Sequence, residues 1–342
     1  MPATRLSLPG PLSAEAVRRA ALASRFTVVG LARAEALDPA PLRRWLDAGH
    51  AADLDYMARR QDERLDPRVV LSGARTVVAL GIAYRRPAGE PATVASYARG
   101  RDYHYAHRDR MKALRKRLIA LAPGLQTYAC VDTGVAMEKV WAERAGLGWI
   151  GKNGCLIHRE HGSWLTLSVM FLDRQMDRYD RPHEELCGAC ALCLGACPTG
   201  AFPEPGVVDA RRCLSYQTIE NRGTVPDELR GALAGRVVGC DTCQDVCPWN
   251  RDDAPVGDAR FAPRPLGTMG AREIAALGQA EWRELAAGTA MARPGYDGLR
   301  RNALISIGAR RDRGARKIVE RLADDASAVV AEAARWARGR LG

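Results

Sequence analysis

Eight of the ten cysteines in this 342-residue chain lie between Cys187 and Cys247, and no other feature constrains its folding so tightly. They fall as Cys187-x2-Cys190-x2-Cys193-x3-Cys197-Pro198 and Cys240-x2-Cys243-x3-Cys247-Pro248, with Cys213 between the two runs. The surrounding segment is rich in Cys, Gly and Pro and weak in periodicity, so its order is expected to come from bound metal. Three thiols on a short arc followed by Cys-Pro have the spacing of a bacterial ferredoxin half-motif, in which the fourth Cys of each run ligates the other cluster. The expected ligand sets are Cys187, Cys190, Cys193 and Cys247 for one [4Fe-4S] cluster, and Cys197, Cys213, Cys240 and Cys243 for the second. The rival is a pair of four-thiolate zinc sites, which are usually built from two separated knuckles; a brown protein indicates iron–sulfur and a colourless one zinc. Cys130 and Cys155 belong to no motif and read as buried core thiols.

With 47% hydrophobic and 27% charged residues, the chain has enough apolar material for two or three domains, which excludes disordered and collagen-like classes. Arg18, Arg19 and Arg25 interrupt the N-terminal pattern too early for an export signal, and no stretch approaches the roughly 18 apolar residues of a membrane span. A cytoplasmic protein with reduced thiols and no membrane partner is expected. From residue 13 to about 180, helical patterns alternate with the short apolar runs FTVVGLA, TVVALGIAY, QTYACVD and SWLTLSVMFL, predicting an α/β domain with a mixed sheet. The expected division is an α/β domain over 1–180, a ferredoxin-like two-cluster domain over 181–252, and a helical, HEAT-like cap over 253–342. A Pro/Gly/Asp-rich linker is read over 252–265.

The segment GLGWIGKN at 146–153 satisfies a dinucleotide fingerprint and most of a phosphate loop. Both motifs need a strand before and a helix after, so that phosphate meets a helix N-terminus. Here a helical pattern precedes and a strand-like one follows, and Asn153 replaces the phosphate-loop Ser/Thr, so nucleotide binding is not expected. The net charge of +11 is concentrated. Residues 99–117 carry eight basic against two acidic side chains, and residues 293–342 carry twelve against six. Localised positive charge marks a polyanion partner, whereas charge for solubility is diffuse.

Several segments together resemble one family. VDTGVAMEKVWAERAGLGWIGKN, the cysteine set, CLSYQTIE around Cys213, GCDTCQDVCPWN and GLRRNALISIG look like epoxyqueuosine reductase, from about Asp55 to the C-terminus. The resemblance implies a cobalamin-binding α/β domain, two [4Fe-4S] clusters fed by an external one-electron donor, and reduction of epoxyqueuosine to queuosine at the wobble position of tRNA. It implies Asp132 as proton donor, a role that calls for a raised pKa. It also implies cobalamin contacts from Tyr97, Asp132, Asn153, Ser168, Ser215 and Tyr216, with no protein ligand to cobalt. The D-x-H-x-x-G cobalamin motif is accordingly absent, since His107 stands where Gly belongs after Asp102 and His104.

YARGRDYH also resembles the family, and places Asp102, Tyr103 and His104 at the substrate. Arg300 and Arg301 open a basic helix that would follow tRNA phosphates, and one tRNA-sized basic face suits a monomer. Two alternatives are weighed. A cobalamin/iron–sulfur reductive dehalogenase is usually exported and lacks the basic C-terminus; a non-catalytic ferredoxin-type carrier leaves Asp132 and the basic stretches without a task.

Overall fold

The computed structural model describes residues 10–84, 93–250 and 257–342. The first nine residues and the first part of the expected linker lie outside the described residues. Helix α1 (Ala14–Ala23) begins at Ser13, whose side chain accepts from the Ala16 N–H. Four strands form the main sheet: β1 (Val28–Arg33), β2 (Thr76–Ala83), β3 (Thr127–Cys130) and the long Leu165–Leu172 strand, with helix α2 (Tyr103–Leu121) between β2 and β3 and helix α3 (Glu138–Arg144) after β3. A two-residue hairpin pairs β4 (Trp149–Ile150) with β5 (Leu156–Ile157), so the long strand is β6.

The sheet order is β1-β2-β6-β3, and every neighbouring pair is antiparallel. This corrects the expected mixed sheet. The crossover through α2 does return β3 parallel to β2, as alternating helices and strands imply, but β6 lies between them and opposes both. All eight residues of β2 are buried, as a central strand covered on both faces requires. Val78, Leu80 and Ile82 point to the side packed by α1 and α2, with Leu114 and Leu118. Val77 and Ala79 face the other side, where Trp141 and Ala142 of α3 pack. Side chains alternating across the strand therefore serve two helical layers.

The C-terminal helices share one apolar core, and that core reaches beyond residues 253–342. Leu214, Ile219, Val225, Leu229, Leu233 and Val237 pack with Leu299, Leu304, Ile307, Val319 and Val330. Helix α4 (Leu214–Ile219), which follows Cys213, is thus part of the same hydrophobic unit as α5 (Gly295–Ala309) and α6 (Ala328–Arg340). No described helix is long and apolar enough to cross a membrane.

Candidate active site and cluster ligands

Two residues after β3 ends, the backbone of Asp132 turns through φ +51°, a left-handed conformation that Asp and Asn tolerate better than most residues. The turn is held from α3, because the Asp132 N–H donates to Glu138 Oε1 at 2.7 Å. Its carboxylate meets the start of α2. There the Tyr103 hydroxyl donates to Asp132 Oδ2 at 2.8 Å, and His104 Nε2 lies 3.2 Å from the same oxygen. Asp102 caps α2 by accepting the His104 backbone N–H at 2.9 Å, and its Oδ1 also sits 2.7 Å from His104 Nδ1.

His104 therefore bridges two carboxylates. Burial works against its charge, but the bonds to Asp102 and Asp132 prevail and push its pKa up to about 9. Burial would raise Asp132, yet the hydrogen bonds from His104 and Tyr103 and the charges of His104 and Arg293 hold it below its ordinary value. The expected raised pKa is thus corrected for the protein alone. The carboxylate, with 61% of its side-chain surface open, rests against an imidazolium and not in an apolar pocket.

Tyr97 connects this site to the cysteines. Its ring meets Tyr103 edge-on, with centroids 5.9 Å apart, and a Cβ on Gly239, the residue before Cys240, would lie 3.7 Å from it. Burial, then the charges of Asp132 and Asp241, raise its phenol. On another side, Arg293 forks onto Glu220 at 2.8 and 3.0 Å, and its charge reaches both Asp132 and Tyr56. Sequence reasoning passed over all three. Glu220 closes the CLSYQTIE segment and Arg293 opens the second basic stretch, so each carried a signal; Tyr56 carried none.

Cys187, Cys190, Cys193 and Cys247 line one cavity of about 120 Å³, together with Lys152, Asn153, Leu186, Leu192 and Trp249. In the other set, burial raises the Cys213 thiol and the charges of Cys240 and Cys197 raise it further, while Cys243 feels Cys155, Cys240 and Cys213. The first four expected ligands thus share a cavity, and Cys197, Cys240 and Cys243 lie near enough to Cys213 for their charges to interact with it. Among the described residues, no three His, Cys, Asp or Glu side chains come close enough to share a single metal ion. Four thiols suit either zinc or an iron–sulfur cluster, and the run of three followed by Cys-Pro favours the cluster. Cys130 is buried, with its thiol 3.5 Å from Glu138 Oε1. Cys155 is only partly buried, and its pKa, lowered by Cys243, puts it beside the second set, in contrast to the fully buried core thiol expected.

The glycine loop is not a phosphate site. The segment runs from the end of α3 through β4 into the turn of the β4–β5 hairpin, so a strand and not a helix follows it, and a Cβ on Gly148 would sit 2.0 Å from the Ile157 carbonyl oxygen. Lys152 reaches across to donate to the carbonyls of Gly188 and Cys190 at 2.6 and 3.0 Å, gripping the first cysteine loop.

Three groups of expected contacts are redirected by the structure. Ser168 is buried and bonds His107 Nδ1 at 2.7 Å; His107, also held by Thr166 at 2.9 Å, is pushed down to about 3 by burial and stays neutral. Asn153 is buried, donating to the Cys243 carbonyl at 3.4 Å and accepting from the Cys155 N–H at 3.1 Å. Both side chains have protein partners, and Asn153 also lines the cavity of the first cysteine set.

Arg300 and Arg301 do not face outward. Arg300 pairs with Asp325 at 2.6 Å and Asp297 at 3.0 Å, under the ring of Tyr296. Arg301 is 1% exposed and donates to the carbonyls of Asn221, Gly223 and Gln217, while Asn302 donates to those of Thr218 and Val237. These bonds fasten the segment after Cys213 to the cap, since buried carbonyls need donors. Ser215 and Tyr216 remain partly exposed on α4, with the Tyr216 hydroxyl donating to Asp53.

Outward charge in the second basic stretch lies on other residues, among them Arg310, Arg311, Arg313 and Lys317, and the first stretch presents it on α2. Arg108, Lys112, Arg115, Lys116 and Arg117 are exposed, whereas Arg110 is buried against Asp258. Arg101 and Arg108 flank the exposed ring of Tyr105 at 5.8 and 5.1 Å.

Thiol groups built for two clusters, joined through Tyr97 to a carboxylate–imidazole pair, define an iron–sulfur oxidoreductase. Residues 186–250 match the 4Fe-4S double cluster binding domain, and residues 64–133 match the family described as epoxyqueuosine reductase QueG, DUF1730. The chain is 42% identical to epoxyqueuosine reductase of Gloeobacter violaceus, over 88% of this chain and 97% of that one. It is 35% identical to that of Escherichia coli, over 86% and 80%. A crystal structure of epoxyqueuosine reductase with a tRNA-Tyr epoxyqueuosine-modified stem loop superposes with a TM-score of 0.89 at 28% identity, covering 96% of this chain and 90% of that one. The Streptococcus thermophilus enzyme gives 0.87 at 28%, covering 95% and 89%. The chain belongs to the epoxyqueuosine reductase family.

Proposed function

We infer that this chain reduces epoxyqueuosine to queuosine at the wobble position of tRNA, the last step of queuosine biosynthesis, as a cytoplasmic monomer fed by an external one-electron donor. The observation that carries the reading is the Asp132 carboxylate, bonded to His104 and Tyr103 and linked through Tyr97 to the loop of Cys240. Converting an epoxide to an alkene consumes two electrons and two protons and releases the oxygen as water. Asp132, His104 and Tyr103 can move protons but cannot supply electrons or a carbon nucleophile, so the donor set fits a site completed by a redox cofactor. Cobalamin, when bound and reduced to cob(I)alamin, supplies that nucleophile. Of the expected contacts, Tyr97, Ser215 and Tyr216 would hold it, the last two on a partly exposed turn of α4. Cys187, Cys190, Cys193 and Cys247 would ligate one [4Fe-4S] cluster, and Cys197, Cys213, Cys240 and Cys243 the other.

The protein's own part is the proton. Asp132 delivers it to the epoxide oxygen, and the proton is stored on His104, whose imidazolium points at Oδ2. When a nucleoside covers the carboxylate, loss of solvent raises its pKa and favours transfer from the imidazole. Asp102 holds the ring for this step. The exposed Arg101–Tyr105–Arg108 group suits an unstacked base and its phosphates, and Arg293, not Arg300 or Arg301, is the cap's cation beside the site. The test is anaerobic reconstitution with iron, sulfide and cobalamin, then assay on tRNA bearing epoxyqueuosine. Conversion is expected; its absence with all cofactors bound would overturn the reading.

A further inference from the structure

Asp132 occupies the centre of a three-residue turn, closed by the Thr133 N–H donating to the Val131 carbonyl at 2.5 Å, with φ +51° at its middle. Three-residue turns with a positive central φ are rare and strained, and such backbone persists only where its surroundings over-determine it. Three contacts surround this one. Glu138 Oε1, at the first position of α3, accepts the Asp132 N–H at 2.7 Å and the Cys130 thiol at 3.5 Å, so one oxygen ties the centre of the turn to the end of β3. Gly134 lies so close over Cys130 that a Cβ on it would sit 2.0 Å from the sulfur. Buried Arg64 donates to the Val135 carbonyl at 3.4 Å. Of the three, Glu138 alone touches Asp132.

We propose that Glu138 is a positioning residue for the epoxide reduction, which holds the Asp132 N–H and so keeps the strained turn that directs the acid at the epoxide oxygen. This rests on the reading of Asp132 as the proton donor. The bonds that Tyr103 and His104 make to the Asp132 carboxylate cannot fix its aim through the reaction, because they change as the proton moves. The backbone bond to Glu138 takes no part in that transfer and survives it. Without this acceptor the central N–H is unpaired, the turn relaxes, and the carboxylate moves away from His104 and Tyr103. A misplacement of about 1 Å near a reacting group costs about 10²-fold in rate. Among the described residues the Glu138 side chain bonds to no cysteine of the two cluster sets, so the clusters should not feel its loss.

The test is steady-state turnover of epoxyqueuosine-bearing tRNA by the reconstituted full chain. Glu138→Leu removes the acceptor, Glu138→Asp withdraws it by one methylene, and Glu138→Gln keeps an oxygen at the same reach. The Leu and Asp variants should lose about 10²-fold in kcat, with KM for tRNA within about twofold and wild-type iron content, and Gln should recover kcat to within about fivefold of the wild type. Added to Asp132→Asn, neither Leu nor Asp should lower the residual turnover by more than about twofold, because a residue that acts through Asp132 has nothing left to position. Wild-type kcat in the Leu and Asp variants would overturn the proposal. The same 10²-fold loss in the Asp132→Asn background would also overturn it, as would loss of the clusters in both the Leu and Asp variants, which would assign Glu138 to folding. Wild-type turnover by Asp132→Asn alone would instead reject the proton-donor reading beneath it.

Discussion

His104 and Asp132 face each other across 3.2 Å, with the imidazole also held by Asp102 at 2.7 Å, so one ring joins two carboxylates from different parts of the chain. That relationship makes the proton's location depend on pH. His104 is pushed up to about 9, so turnover should fall as pH rises through that value and the stored proton is lost. In His104→Gln that limb should disappear, with turnover about 10²-fold lower. An initial-rate pH profile on modified tRNA checks this, and an unchanged profile would remove His104 from the proton path.

The same network has a stability consequence with a definite sign. A histidine raised on folding contributes stability that is complete below its unfolded pKa, near 6.5, and is lost as pH rises through about 9. Asp102 and Asp132 are lowered, so their share is present above the ordinary carboxylate range and lost as pH falls through their depressed values. Urea unfolding of the wild type and His104→Gln should therefore differ most between the carboxylate range and about pH 6.5, and converge above pH 9.

Asp132→Asn keeps the size of the side chain and removes its acidity. Turnover should drop about 10²- to 10⁴-fold, while the iron content and the visible spectrum of the clusters stay as in the wild type. Equal turnover with both clusters and cobalamin loaded would exclude Asp132 as the acid.

Arg301 and the basic face of α2 separate folding from tRNA binding. Arg301→Met leaves the buried carbonyl of Gln217 and the more open ones of Asn221 and Gly223 without their donor and should cost about 1–3 kcal/mol, without changing the salt dependence of tRNA binding. Arg108→Ala, Lys112→Ala and Lys116→Ala should leave stability nearly unchanged. Each that contacts a phosphate should flatten the slope of log K against log[salt] by about 0.7–0.9. Binding isotherms at several salt concentrations decide between the two sites.

Much of this was legible in the sequence, and the exceptions share a cause. The cysteine spacing and the apolar run of β2 are local signals, and the strand appears where the local pattern places it. The order of the sheet is not local: nothing in SWLTLSVMFL tells that β6 inserts between β2 and β3 and turns a parallel pair into two antiparallel ones. Arg300 and Arg301 misled for the same reason, because a basic pair at a helix start reads as surface unless the acceptors are known. Those acceptors, Asp325 and the carbonyls of 217–223, are distant in sequence. For Ser168 and Asn153 likewise, the partner that claims each side chain is decided by packing.

The two cysteine groups make the sharpest test of how the chain is threaded. Cys247 is four residues from Cys243, yet it lines the cavity of Cys187, Cys190 and Cys193, while Cys197 lies with Cys213 and Cys240. Ligands that are neighbours in sequence should therefore behave as members of different clusters. Cys247→Ala and Cys187→Ala should remove the same paramagnetic signal, Cys197→Ala and Cys213→Ala the other, and each should lower the bound iron to roughly half. If Cys247→Ala instead removed the signal that Cys243→Ala removes, each run would hold its own cluster and the crossed arrangement would fail. The crossed arrangement has a mechanical consequence as well. Each cluster would tie the two cysteine runs together, so losing either one should loosen the hold of the 240–247 loop on Tyr97. Epoxide turnover should then fall even in the variants that keep the cluster nearer Asp132, and comparing turnover with remaining iron in the four variants measures that coupling.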